Sequence, residues 1–108
     1  MKINVLGTDY AIKVIDPEQD EKLKFQMDGY TDTSIKVCVI DNMHEKSIKS
    51  KENLYEYRKS VIRHELIHAF LFESGLDAAS WAPNEEMVDW IALQFPKMLK
   101  AFKEADAL

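Results

Sequence analysis

One cysteine, Cys38, three glycines and three prolines are all that this 108-residue sequence holds of those residue types. A lone cysteine excludes an intrachain disulfide, so packing, hydrogen bonds or a metal must hold the fold, and a reducing, cytoplasmic location is expected. So little glycine and proline leaves no room for long linkers, and no internal repeat or low-complexity segment is present. Cationic charge is also short. Lys plus Arg is 14 against 19 for Asp plus Glu, a net charge of −5. Such a chain has no basic field for releasing counterions from nucleic acid or for docking on anionic lipid, so neither partner is expected. No apolar run approaches the roughly 20 residues of a membrane span. The opening stretch MKINVLGTDYAIKVID carries charge at once and alternates, unlike a signal peptide. What is there, 46% hydrophobic and 31% charged residues, suits a single domain over residues 1–108.

The first part of the chain reads as strands. Ile3 and Val5, then Ile12 and Val14, alternate with polar residues around Gly7-Thr8-Asp9, the pattern of a hairpin that Asp16-Pro17 closes. Glu18–Leu23 fits a short helix or a loop. Phe25–Met27 fits a strand before the Asp28-Gly29 turn. Ser34–Ile40, with Ile35, Val37, Val39 and Ile40, is the strongest strand pattern. Short connections predict antiparallel pairing. The pattern then becomes helical. Ser50 is a plausible N-cap, nothing breaks a helix from Lys51 to Ser74, and Gly75 stands at the C′ position. The second half of that helix, VIRHELIHAFLF, is apolar nearly all round and predicts cover on several faces. Asn84 caps a second helix with Glu85 and Glu86 in its first turn, and Met87, Trp90, Ile91 and Leu93 make its apolar side. Pro96 should kink or restart it. The expected fold is α+β: a small antiparallel sheet of three to four strands followed by two main helices.

His64-Glu65-Leu66-Ile67-His68 is an HExxH pattern. On a helix, residues four apart share a face, so two imidazoles can reach one ion at about 2.0–2.1 Å. Glu65 lies one position round, set to take a proton from a water that the metal has acidified. Apolar flanks put these groups on a buried helix, where two imidazoles and a carboxylate without partners would be costly. A third protein ligand is required. The metzincin continuation is excluded, because Leu71 and Ser74 stand at its glycine and last histidine. Past the Gly75 turn, Glu85, Glu86 and Asp89 are the candidates. Glu85 and Asp89 share a face, so one can bind the metal while the other accepts the free N–H of a ligating imidazole.

HELIH followed on the next helix by NEEMVD resembles the gluzincin pattern, HExxH then ExxxD. The preceding segment GYTDTSIKVCVIDNM and the small size are similar to minimal gluzincins and to the ImmA/IrrE-like metallopeptidases of bacteria and their phages. The resemblance runs from about Gly29 to Pro96. It implies Zn²⁺ held by His64, His68 and Glu85, with Glu86 as the alternative third ligand, Glu65 as general base and Asp89 orienting a histidine. Asp89 stands where the ImmA/IrrE pattern more often has asparagine. The implied activity is zinc-dependent hydrolysis of a peptide or protein substrate by a monomer or weak homo-oligomer. The alternative is a catalytically silent, metal-stabilised regulatory or binding module of phage or bacterial origin. Strand Ser34–Ile40, just before the metal helix, is the expected sheet edge for an extended substrate.

Other residues carry less. Cys38 reads as a small buried hydrophobe rather than a latency switch, and His44 as a solvated loop residue. Tyr57, seven positions before His64, is a candidate transition-state donor or a packing residue. Trp81 and Trp90 fit core or cleft wall. Lys97, Lys100 and Lys103 fit a solvated helix side. The tail Lys103–Leu108 reads as a frayed helix end, although its carboxylates could approach a cation and occlude the site.

Overall fold

A computed structural model describes residues 1–25, 27–43, 53–76 and 78–108. Strands β1 (Lys2–Val5) and β2 (Thr8–Ile15) form the expected hairpin. Its loop is Leu6-Gly7 rather than Gly7–Asp9, because Val5 pairs with Thr8. Both loop residues have positive φ, 52° and 96°, the mirror-image turn that matches strand twist. The Asn4 side-chain oxygen accepts the Gly7 N–H at 3.0 Å. A 3₁₀ turn over Pro17–Gln19 and helix α1 (Glu21–Lys24) follow, capped by the carboxylates of Asp16 and Asp20.

The next two strands sit later than the sequence suggests. Phe25–Met27 is not a strand; β3 is Gly29–Asp32. The run Ser34–Ile40 becomes β4 only from Val37 to Asp41. Asp32 Oδ1 accepts the Ser34 N–H at 3.0 Å, and Lys36 turns left-handed at φ 58°. These features spend residues 33–36 on the turn. The sheet order is β1-β2-β4-β3. Pairing is antiparallel for β1–β2 and β3–β4 but parallel for β2–β4. Consecutive strands thus obey the short-connection rule. Strand β4 also meets β2 after the long passage of residues 16–36, enough chain for a crossover. The sheet is therefore mixed, and the α+β order of sheet then two helices stands.

Helix α2 spans Leu54–Glu73 and α3 spans Glu85–Glu104. Asn53 caps α2 by accepting the Glu56 N–H; Ser50 lies outside the described residues, as does His44. Gly75 follows the end of α2 with φ 82°. Asn84 caps α3 by accepting the Met87 N–H at 2.9 Å. One sheet face and α2 share a core of Val5, Tyr10, Ile12, Cys38, Ile40, Val61 and Ala69. The other face packs Val37 and Val39 under Leu23 of α1. Gly29 is what lets α2 lie so close to β3. A Cβ there would meet the Val39 carbonyl and Val61 Cγ1 at 3.0 Å each.

The helices are less covered than their composition implies. Phe70 and Phe72 of α2 are partly exposed, and α2 buries only Ser60, Val61, Glu65 and Ala69. On α3 the expected apolar side is the open one: Met87, Trp90 and Leu93 are exposed, while Val88 and Ala92 are buried. Small residues win the contact because they let two backbones approach. The face 85-88-89-92 is then turned toward α2. Pro96 does not end α3. It removes the N–H that would bond the carbonyl of Ala92, and Arg63 Nε of α2 donates to that carbonyl at 2.6 Å instead. Trp81 is exposed like Trp90, and Lys97, Lys100 and Lys103 are exposed as expected. Residues 103–108 are exposed too. Among the described residues, no helix is long and apolar enough to cross a membrane.

Candidate metal centre

His64 and His68 lie on α2, and Glu85 and Asp89 lie on the facing turn of α3. The helix period puts the two imidazoles on one side, with ring centroids 4.8 Å apart and planes at 67°. Their Nε2 atoms approach to 3.1 Å. Glu85 reaches both, Oε2 to His64 Nε2 and Oε1 to His68 Nε2, each at 2.9 Å. One ligand atom from each of His64, His68 and Glu85 falls within a 4.8 Å set. Glu86, the alternative third ligand, is not in that set. Asp89 Oδ1 stands 3.1 Å from His64 Nδ1.

The donor and acceptor roles of these groups decide what the arrangement can hold. Asp89 is an acceptor, so it takes an N–H from His64 Nδ1. Neutral His64 then aims the lone pair of Nε2 at the Glu85 carboxylate, itself an acceptor. Two acceptors at 2.9 Å need a cation between them, either a proton on His64 or a metal ion. Ligand atoms held at about 2.0–2.1 Å by a tetrahedral ion stand roughly 3.3–3.4 Å from one another. The observed separations of 2.9–3.1 Å are within a few tenths of that. Two imidazoles and a carboxylate therefore fit a first-row metal ion.

Glu65 points to the sheet side of α2 and is only 7% exposed. Thr31 Oγ1 stands 2.9 Å from its Oε1. Burial pushes the Glu65 carboxyl above its ordinary range, while the Thr31 hydrogen bond and the two imidazoles pull it back. Two clefts meet at the group. One, about 550 Å³, is lined by Thr31, His68, Leu71 and Leu76 beside His64, Glu65 and Glu85. The other, about 480 Å³, is lined by Asp28, Tyr57, Ser60 and Asp89 beside the same three. Tyr57 donates its hydroxyl to the Asp28 carboxylate, so it borders the site while engaged with β3's entry. Trp81, Trp90 and the C-terminal tail line neither cleft among the described residues.

The sheet edge beside the site is β3, not the run Ser34–Ile40. Strand β4 is paired on both sides and has no free edge. Asp41 N–H bonds the Asp28 carbonyl, so in the antiparallel alternation Tyr30 and Asp32 face β4. Gly29 and Thr31 then turn their N–H and C=O outward.

Two residues of this neighbourhood carry no motif. Arg63 could have been sought from Pro96, since a helical proline always leaves the carbonyl four residues earlier needing a donor. Nothing in the sequence ties Thr31 to Glu65. No protein-family model, curated protein or solved structure matches the chain.

Proposed function

We propose that this chain is a zinc-dependent peptidase of gluzincin type. The observation that carries the reading is the convergence of His64, His68 and Glu85 beside a buried Glu65, with Asp89 on the outer nitrogen of His64. Zinc, when bound by those three residues, supplies a Lewis acid that polarises a carbonyl and acidifies water. Asp89 fixes the His64 tautomer so that Nε2 presents its lone pair inward. Glu65 takes the proton of the attacking water and returns it to the departing amide nitrogen. An extended peptide adds to the free edge of β3 through the outward groups of Gly29 and Thr31, and its side chains enter the two clefts.

The test is metal content of the purified chain by elemental analysis, with hydrolysis of fluorescein-labelled casein by the zinc-loaded protein. One metal per chain is expected. E65Q should keep that metal and lose turnover by about 10²–10⁴-fold. Full metal occupancy without cleavage by the native chain would move it to the silent regulatory module. Absence of a bound metal would overturn both readings.

A further inference from the structure

Among the described residues, one side chain of the sheet hydrogen-bonds the base proposed above. Thr31 is the third residue of edge strand β3. Its Oγ1 lies 2.9 Å from Glu65 Oε1, 2.9 Å from the Glu65 carbonyl oxygen and 3.5 Å from Cys38 Sγ. Among the described residues it gives the Glu65 carboxylate its direct hydrogen bond. A hydroxyl has one proton to give and two lone pairs to receive with. The proton of Thr31 is shared between the Glu65 carbonyl oxygen and Oε1, each at 2.9 Å, with the charged carboxylate the stronger acceptor. The buried Cys38 thiol can turn its weak donor to Thr31 Oγ1.

We propose that Thr31 is the positioning residue for Glu65. Its hydroxyl pins Oε1 against the sheet and leaves Oε2 as the oxygen open to the cleft and to the reacting water. Glutamate is long, and an unpinned carboxylate in this cleft would sample several rotamers. A displacement of about 1 Å in a catalytic group costs on the order of 10²-fold in rate. The β-branched side chain suits this purpose, since branching at Cβ restricts χ1. Helix α2 thus supplies the base and β3 its aim, so the strand proposed to hold the substrate also sets the carboxylate. This inference rests on the peptidase reading.

Two variants test it. T31V keeps the shape and removes the hydroxyl, and T31S keeps the hydroxyl. Crystal structures of the zinc-loaded proteins should show the Glu65 carboxylate displaced in T31V and retained in T31S. With labelled casein, T31V should lose about 10–100-fold in kcat with KM and zinc content unchanged, and T31S should stay within about threefold of the native chain. In an E65Q background, T31V should cost nothing further. A T31V structure with the carboxylate in place overturns the proposal, and so does a loss of zinc that accounts for the loss of rate. If T31V does not fold, T31A is read by the same criteria. If the native zinc protein leaves casein intact, the peptidase reading fails. The carboxylate positions in the variant structures still decide the role of Thr31.

Discussion

Removing Asp89 isolates the outer partner of the proposed metal site. D89A deletes the acceptor that stands 3.1 Å from His64 Nδ1 while leaving His64, His68 and Glu85 in place. Such partners are worth about 10–100-fold in metal affinity. The Asp89 side chain is 63% exposed against 16% for His64. Water therefore competes for the acceptor and can replace it, which puts the effect at the low end, about tenfold or about 1.4 kcal/mol. Mass action converts this into stability. At free zinc about 100 times the native Kd, the native chain gains about 2.7 kcal/mol. D89A at the same zinc sits at about ten times its own Kd and gains about 1.4 kcal/mol. The difference, about 1.3 kcal/mol, corresponds to about 5–10 °C in Tm for a domain near this size. The assay is thermal unfolding by circular dichroism at a zinc activity fixed by a metal buffer, repeated in excess chelator. The gap should close under chelator. A gap of the same size with and without metal would show that Asp89 supports the helix pair rather than the ligand. No gap at all would remove it from the site.

Two further outcomes follow from single contacts. R63A should destabilise by about 1–2 kcal/mol, because it orphans the Ala92 carbonyl; P96A restores a backbone N–H to that carbonyl, so R63A should cost clearly less in the P96A background, measured by urea denaturation of all four chains. Tyr10, Tyr30 and Tyr57 are each pushed up to about 12, first by burial and then by Glu73, Asp20 and Asp28 respectively. Each folded value lies above the unfolded value near 10, so the stability they contribute is fully present below about pH 10 and is lost as pH rises toward 12. Phenolate absorbance should therefore rise later in the native chain than in the chain unfolded in guanidinium, and coincident titrations would refute the burial of these hydroxyls.

The order of sheet then two helices, and the facing of the His64–His68 pair by Glu85 and Asp89, were legible because both rest on period and spacing. His64, His68, Glu85 and Asp89 are each four apart within a helix, and a helix converts that spacing directly into a shared face. Strand limits were less legible. Ser34 and Ile35 have a strand's local pattern, yet the Asp32 carboxylate caps a turn across them. The parallel β2–β4 pairing was invisible because it joins segments that local connections do not relate. Helix α3 misled for a different reason. Its bulky residues Met87, Trp90 and Leu93 outweigh Val88 and Ala92 in any hydrophobicity count, but the small pair fits against α2. The edge strand could not be told from a central one, since that depends on sheet order, and β4 reads as continuously apolar because both of its faces are covered.

Sequence separation divides the two halves of the site. His64 and Glu85 are 21 residues apart on one helical hairpin, whereas Thr31 meets Glu65 across 34 residues and only while β3 lies in the sheet. The hairpin closes its own contact locally; Glu65, the proposed base, meets its hydroxyl partner only on an edge strand of four residues, paired on one side alone. Opening of β3 would leave His64, His68 and Glu85 on their two helices and release the Glu65 carboxylate and the proposed peptide-binding edge together. On the peptidase reading proposed above, a cation would stay held through such excursions while Glu65 loses its aim, and a peptide bound at the β3 edge would restore it.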